Sequence, residues 1–324
     1  MAIFQIILLI FFSIILIKAA EWVIVALRRI AKKTHTGAFA ISAIILAIGT
    51  SLPELFVGIT SSLEGAPNIA LGVVLGSNIA NIALVTGIIA VIVGRINIHG
   101  DYLKRDVGLA LVAGLLPLGL MADGVLGRVD GLILLSVYIA YASSFFKQRF
   151  SEIVEEHKKE GFFYRFWKQI NHIDFNGTRE YGRLFVGIAL LLFSGEMIVK
   201  NAQLLASSLG IPIFVIGVVV LAIGTSLPEL AFSLRSVEDK HPSMFFGNLL
   251  GSTIANSTLI VGITSLITPI KVVAFQDYTV AVFAFIIIFS VFWLFIRSKH
   301  RLERWEGAVL ILMYLIFVVV EFVL

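Results

Sequence analysis

The chain has 324 residues, 59% of them hydrophobic and 14% charged, with a mean hydropathy of +1.00, so no soluble domain of this size could hide its apolar surface. Its formal net charge of +4 and pI near 9.3 call for no nucleic-acid partner, because basic residues in a membrane protein mark loop orientation. The lack of cysteine excludes a disulfide framework, a thiolate metal site and a cysteine nucleophile.

A hydrocarbon core of about 30 Å takes roughly 20 helical residues to cross. Apolar runs that meet this need occur ten times, at 3–27, 38–62, 69–93, 107–121, 131–146, 184–205, 213–234, 244–267, 278–296 and 307–324. The fourth is short and carries Pro117. The first follows Met1 with neither a basic region nor a small-residue cleavage pattern, and it reads as a retained helix rather than a signal peptide. One set of alternate loops holds nearly all of the 25 Lys and Arg residues, whereas the other holds Arg128 and Lys271. Basic loops stay cytoplasmic, so both termini are expected outside the cytoplasm, with the chain in the cell membrane.

The segment 46–55 reads LAIGTSLPEL, and 221–230 repeats all ten residues 175 positions later. The same offset pairs Gly76, Ser77, Ile79, Ala80 and Asn81 with Gly251, Ser252, Ile254, Ala255 and Asn256, and Glu21 with Glu196. A one-residue slip then aligns Asp130 and Gly131 with Glu306 and Gly307. Each half therefore holds five spans, and an odd number forces the second copy into the membrane upside down. The expected fold is all-α: ten transmembrane helices as two inverted five-helix repeats, 1–147 and 183–324. A charged cytoplasmic connector, 148–182, joins them; its Phe162 to Trp167 cluster reads as an interfacial surface helix, and no acidic calcium-sensing loop occurs in it.

Pro53 and Pro228 fall inside expected spans, where each removes a helical donor and loosens the carbonyls of Gly49 and Gly224. Such backbone is tolerated at membrane depth only where protein or a water-lined cavity satisfies it. Glu54 and Glu229 follow directly, one turn after Thr50, Ser51, Thr225 and Ser226. Carboxylates, hydroxyls and loosened carbonyls make an all-oxygen set, the kind accepted by hard cations such as Ca²⁺ or Na⁺. Glu21 and Glu196 have Lys18 and Lys200 at helical-neighbour spacing and read as locally paired, but Glu54 and Glu229 have no basic neighbour on their own helices. Asn81 and Asn256 lie one turn after Ser77 and Ser252 and are expected to line the same central cavity. All six histidines fall in expected loops or at span ends, and no HExxH motif occurs, which argues against a zinc-dependent membrane protease.

Gly49, Thr50, Ser51, Pro53 and Glu54 with Gly76, Ser77 and Asn81, together with their copies from Gly224 to Asn256, resemble the two alpha-repeats of the sodium/calcium exchangers, here 46–81 and 221–256. The resemblance implies alternating access with no resident cofactor, Ca²⁺ and Na⁺ being the cargo and the bilayer the surroundings; no protein partner is evident. It also implies a central Ca²⁺ site from Glu54, Glu229, Thr50 and Thr225. Flanking Na⁺ sites would use Ser51, Ser77, Ser226 and Ser252 with the backbone carbonyls of Ala47 and Ala222. The proton/calcium branch typically has Gly-Asn ahead of the glutamate where this chain has Gly49-Thr50-Ser51, so Thr50 and Ser51 favour Na⁺; Asn256 stands where potassium-dependent relatives carry an acid. Proton-coupled Ca²⁺ antiport and a passive cation channel remain open as alternatives.

Overall fold

The computed structural model describes residues 2–33, 49–97, 102–156, 178–238, 242–271, 275–299 and 301–323. Apart from turns and two short ladders, these residues are helical. The helices are α1 (Ala2–Lys33), α2 (Leu52–Leu63), α3 (Pro67–Ala80), α4 (Thr86–Val93), α5 (Tyr102–Leu120), α6 (Arg128–Glu156) and α7 (Thr178–Leu209), then α8 (Ile213–Val215), α9 (Ala222–Thr225), α10 (Leu227–Glu238), α11 (Pro242–Ile254), α12 (Val261–Ile267), α13 (Phe275–Lys299) and α14 (Arg304–Val323). π-helical turns at Asn81–Val85, Ile216–Leu221 and Ala255–Ile260 join α3 to α4, α8 to α9 and α11 to α12.

Eight helical stretches among the described residues are long and apolar enough to cross a membrane: Ile3–Leu27, Pro67–Val93, Asp106–Asp123, Arg179–Leu209, Ile213–Glu238, Met244–Ile267, Tyr278–Arg297 and Arg304–Val323. The expected run 38–62 lies partly outside the described residues, and its remainder forms the short apolar helix α2. The expected run 131–146 falls within α6. The Phe162 to Trp167 cluster and all six histidines lie outside the described residues.

Apolar side chains cover the outside as well as the core, and polar ones are drawn inward. Ile3, Phe4, Ile7, Phe11 and Ile14 project outward from α1, while Ser77, Asn78, Asn81, Ser252 and Asn256 are buried. Burial is deepest in Pro67–Val93 and Met244–Ile267, at 72% and 78% of their apolar stretches, against 28% in α1, so these two form the inner layer. α1 packs along α7, and Arg29 Nη1 reaches Glu180 Oε1 at 3.0 Å across that pair.

The inner layer is close because glycines permit it. A Cβ on Gly76 would stand 2.0 Å from the Val218 carbonyl oxygen, so α3 lies directly on the π-turn of the other half. At the periphery the last helix of each half packs on the other half: α14 against α4, and α6 against α12. Glycines line both crossings, since a Cβ on Gly87 would lie 2.7 Å from the Gly307 carbonyl oxygen and one on Gly131 would lie 2.8 Å from that of Gly262. These pairs occupy corresponding places in the internal repeat.

The ladders repeat the exchange. β1 (Arg95–Asn97) pairs antiparallel with β4 (Arg301–Glu303), and β2 (Val125–Leu126) with β3 (Ile270–Lys271). Each ladder joins the strand after the π-turned helix of one half to the strand before the final helix of the other. Those final helices are also capped alike: the Gly127 N–H donates to Asp130 Oδ2, and the Glu303 N–H to Glu306 Oε2, both at 2.8 Å. The aligned acids Asp130 and Glu306 thus share a capping role.

Gly76→Ala should overpack the α3 crossing and destabilise the protein by about 1–3 kcal/mol. This is read as a lower temperature for loss of the monodisperse peak after heating in detergent. Gly247→Ala, which meets nothing within 4 Å, should not lower it. Asp130→Ala and Glu306→Ala should each cost about 1 kcal/mol in the same assay through the lost cap.

Candidate functional site

In the first half, Gly49 is helical, Thr50 and Ser51 form a turn, and α2 begins at Leu52. In the second, α9 ends at Thr225, Ser226 is the break, and α10 begins at Leu227. Pro53 and Pro228 therefore sit in the first turn of a new half-helix, not inside a continuous one as the sequence led us to expect. A proline there removes no helical bond, since first-turn N–H groups have no partner within the helix. The break also places Glu54 and Glu229 in the first turns of α2 and α10, at the partially positive helix ends, where a carboxylate gains about 0.3–1 kcal/mol. The two breaks match closely: Leu55 N–H donates to Ser51 O at 3.0 Å and Leu230 N–H to Ser226 O at 3.1 Å.

Glu54 is 0% and Glu229 1% exposed. Ser77 Oγ donates to Glu54 Oε1 at 3.3 Å and lies 3.1 Å from Thr225 Oγ1, which is also 3.4 Å from the Ala222 carbonyl oxygen. This chain of contacts ties the first-half carboxylate to the second-half motif. Across the site, Thr50 Oγ1 donates to Asn248 Oδ1 at 3.0 Å and lies 3.3 Å from Ser252 Oγ. Asn256 Nδ2 donates to Asn78 Oδ1 at 3.1 Å, and Asn78 Nδ2 to Ser257 Oγ at 2.8 Å.

Several buried polar atoms have no hydrogen-bond partner among the described residues: Glu54 Oε2, both carboxylate oxygens of Glu229, the hydroxyls of Ser51 and Ser226, and both amide atoms of Asn81. Each such group costs about 1–3 kcal/mol if nothing meets it. Most are oxygens, the donor type that hard cations accept. No cluster of three or more His, Asp or Glu forms among the described residues, so any cation here would be held by two carboxylates supplemented with neutral oxygens.

All the expected site residues are buried apart from Ala47, which lies outside the described residues. The structure brings Thr50 to Ser252, and Ser77 to Glu54 and Thr225. Ser51, Ser226 and Asn81 contribute no bond within this network. Glu21 and Glu196 are paired locally, Lys18 Nζ lying 2.9 Å from Glu21 and Lys200 Nζ bonding Glu196, with Glu64 3.9 Å away. Sequence reasoning passed over Asn78, Asn248 and Ser257. Asn248 carried a usable signal, since 248, 252 and 256 recur at one-turn spacing on one helix face. Asn78 and Ser257 carried none.

Residues 4–147 and 180–323 match the family described as sodium/calcium exchanger protein. The chain is 30% identical over 338 residues to sodium/calcium exchanger MaX1 of Methanosarcina acetivorans, covering 95% of this chain and 96% of that protein. It is 32% identical over 271 residues to inner membrane protein YrbG of Escherichia coli, covering 82% and 81%. A solved structure of the sodium-calcium exchanger NCX_Mj, soaked with Na⁺ and Sr²⁺, superposes with a TM-score of 0.60 at 27% identity, covering 98% of this chain and 99% of that one. With the doubled motif, the broken helices and the buried carboxylates already described, these matches establish that the chain belongs to the sodium/calcium exchanger family, multi-pass membrane ion exchangers rather than enzymes.

Proposed function

We propose that this protein exchanges Ca²⁺ for Na⁺ by alternating access, with Ca²⁺ held by Glu54, Glu229, Thr50 and Thr225. Na⁺ would occupy flanking positions built from Ser51, Ser77, Ser226, Ser252 and the carbonyls of Ala47 and Ala222, with Asn81 and Asn256 facing the central cavity. The observation that carries the reading is the pair of buried glutamates whose oxygens are largely unpartnered.

Magnitudes favour exchange over a static structural role. An ionised acid near the bilayer centre costs about 3 kcal/mol on insertion scales, so two cost about 6. A cation bound with micromolar affinity returns about 8 kcal/mol. The site is stable when loaded and costly when empty, so a departing Ca²⁺ is best replaced by other cations. That coupling of exit to entry is the basis of antiport.

The architecture that suits this reading is ten transmembrane helices in two inverted five-helix repeats, 1–147 and 183–324, joined by a cytoplasmic connector, 148–182. We place the chain in the cell membrane with both termini outside the cytoplasm. The crossed terminal helices and the two equivalent ladders support a two-fold relation between the halves. The Methanosarcina acetivorans relative, named a sodium/calcium exchanger, and the basic-loop asymmetry support the ion pair and the orientation.

In proteoliposomes, Na⁺ loaded inside should drive uptake of radiolabelled Ca²⁺, and dissipating the Na⁺ gradient should abolish it. Uptake that ignores Na⁺ but follows a pH gradient would assign H⁺ as the returning ion, and uptake needing no counter-ion would mean a channel. Glu54→Gln and Glu229→Gln should each reduce Na⁺-driven uptake to the level of empty vesicles while the purified proteins remain monodisperse.

A further inference from the structure

The two halves of the site hold their threonine hydroxyls differently. Thr225 Oγ1 contacts Ser77 Oγ, which itself donates to Glu54, so the proton chain on that side ends on a proposed ligand. Thr50 Oγ1 makes the corresponding contact with Ser252 Oγ at 3.3 Å but also donates to Asn248 Oδ1, 198 residues away in sequence. Exact repeat symmetry would place Ser252 on Glu229 as Ser77 is on Glu54. Ser252 keeps the threonine contact, to Thr50, but no bond joins it to Glu229, and both Glu229 oxygens are unpartnered among the described residues.

Asn248 is the cause in the sequence, because its counterpart at the repeat offset is Val73, a fully buried apolar residue. Asn248 is itself 6% exposed, and its Nδ2 has no partner among the described residues. A buried amide with half its capacity unused is costly, so it is retained for what its oxygen does. A hydroxyl whose proton is held by an amide carbonyl must turn its lone pairs elsewhere. It is also polarised into a stronger acceptor.

We propose that Asn248 is a positioning residue for the cation site: by taking the Thr50 proton it aims the Thr50 oxygen at the bound cation, and it makes the two half-sites unequal. The inference rests on the reading of Thr50 and Thr225 as cation ligands. Asn248 acts through Thr50 and need not touch the ion.

The test is Na⁺-driven Ca²⁺ uptake in proteoliposomes, with half-saturating Ca²⁺ and maximal rate measured separately. Asn248→Val, which installs the first-half residue, should raise half-saturating Ca²⁺ about tenfold, the effect of roughly one hydrogen bond to a charged site, with maximal rate within about twofold. Added to Thr50→Val it should change half-saturation by less than about twofold, whereas added to Thr225→Val it should exert its full effect. Asn248→Asp has the same shape and keeps the accepting oxygen, so its half-saturation should be no weaker than wild type. A lowered maximal rate at unchanged half-saturation, additivity with Thr50→Val, or a weakened Asn248→Asp would each overturn the inference. Should Asn248→Val fail to fold, the Asn248→Asp result decides. Wild-type vesicles that take up no Ca²⁺ would overturn the proposed function and this inference with it, whereas normal wild-type uptake with an unaffected Asn248→Val overturns the inference alone.

Discussion

The rest of this structure is organised around the cost of keeping two carboxylates inside a bilayer. Glu54 and Glu229 are almost fully enclosed, and neither forms an ion pair among the described residues. Nearby features serve that constraint. The helices break immediately before each glutamate, so a partially positive helix end faces each carboxylate. Ser77 donates a proton to Glu54, and hydroxyls and amides fill the surrounding layer where a soluble protein would place its apolar core. By contrast, Glu21 and Glu196, each paired with a lysine on its own helix, lie on partly exposed faces.

Backbone departs from α-helical geometry at π-turns as well as at the two breaks. Asn81–Val85 and Ala255–Ile260 occupy corresponding places in the two halves, and each π-turn contains one of the aligned asparagines. At the first, the Thr86 hydroxyl donates to the Asn81 carbonyl oxygen five residues back, at 2.9 Å, occupying an acceptor in the widened turn. π-turns often mark functional positions because they rotate the following side chains out of helical register. Here they let α3 and α11 keep polar residues inward while their continuations, α4 and α12, meet the glycines of α14 and α6.

Pseudo-symmetry governs the scaffold more strictly than the site. Gly87 with Gly307 and Gly262 with Gly131, the two ladders, and the Asp130 and Glu306 caps recur almost as copies. The polar centre departs from the copy at Asn248 against Val73 and at Asn78 against Thr253. Those exceptions bridge the halves, Asn248 to Thr50 and Asn78 to Asn256 and Ser257. A scaffold of repeated packing contacts can hold a centre that is not itself symmetric.

The helical membrane class, the internal repeat, both glutamates and their hydroxyl-rich turns could all be read from the chain alone. The reason is physical: bilayer thickness dictates the length of an apolar run, and an unneutralised acid within such a run stands out against it. Local pairing of Glu21 and Glu196 was legible too, because i,i+3 and i,i+4 neighbours follow from helical geometry. The sequence misjudged the prolines, since an apolar run looks the same whether it forms one helix or two half-helices meeting at a turn. Which oxygens stay free, which hydroxyl Asn248 holds, and which half each terminal helix packs against were decided only by tertiary structure. Those contacts join residues far apart in the chain, Thr50 to Asn248 being 198 positions apart, and no periodicity along the chain encodes a meeting between separate helices.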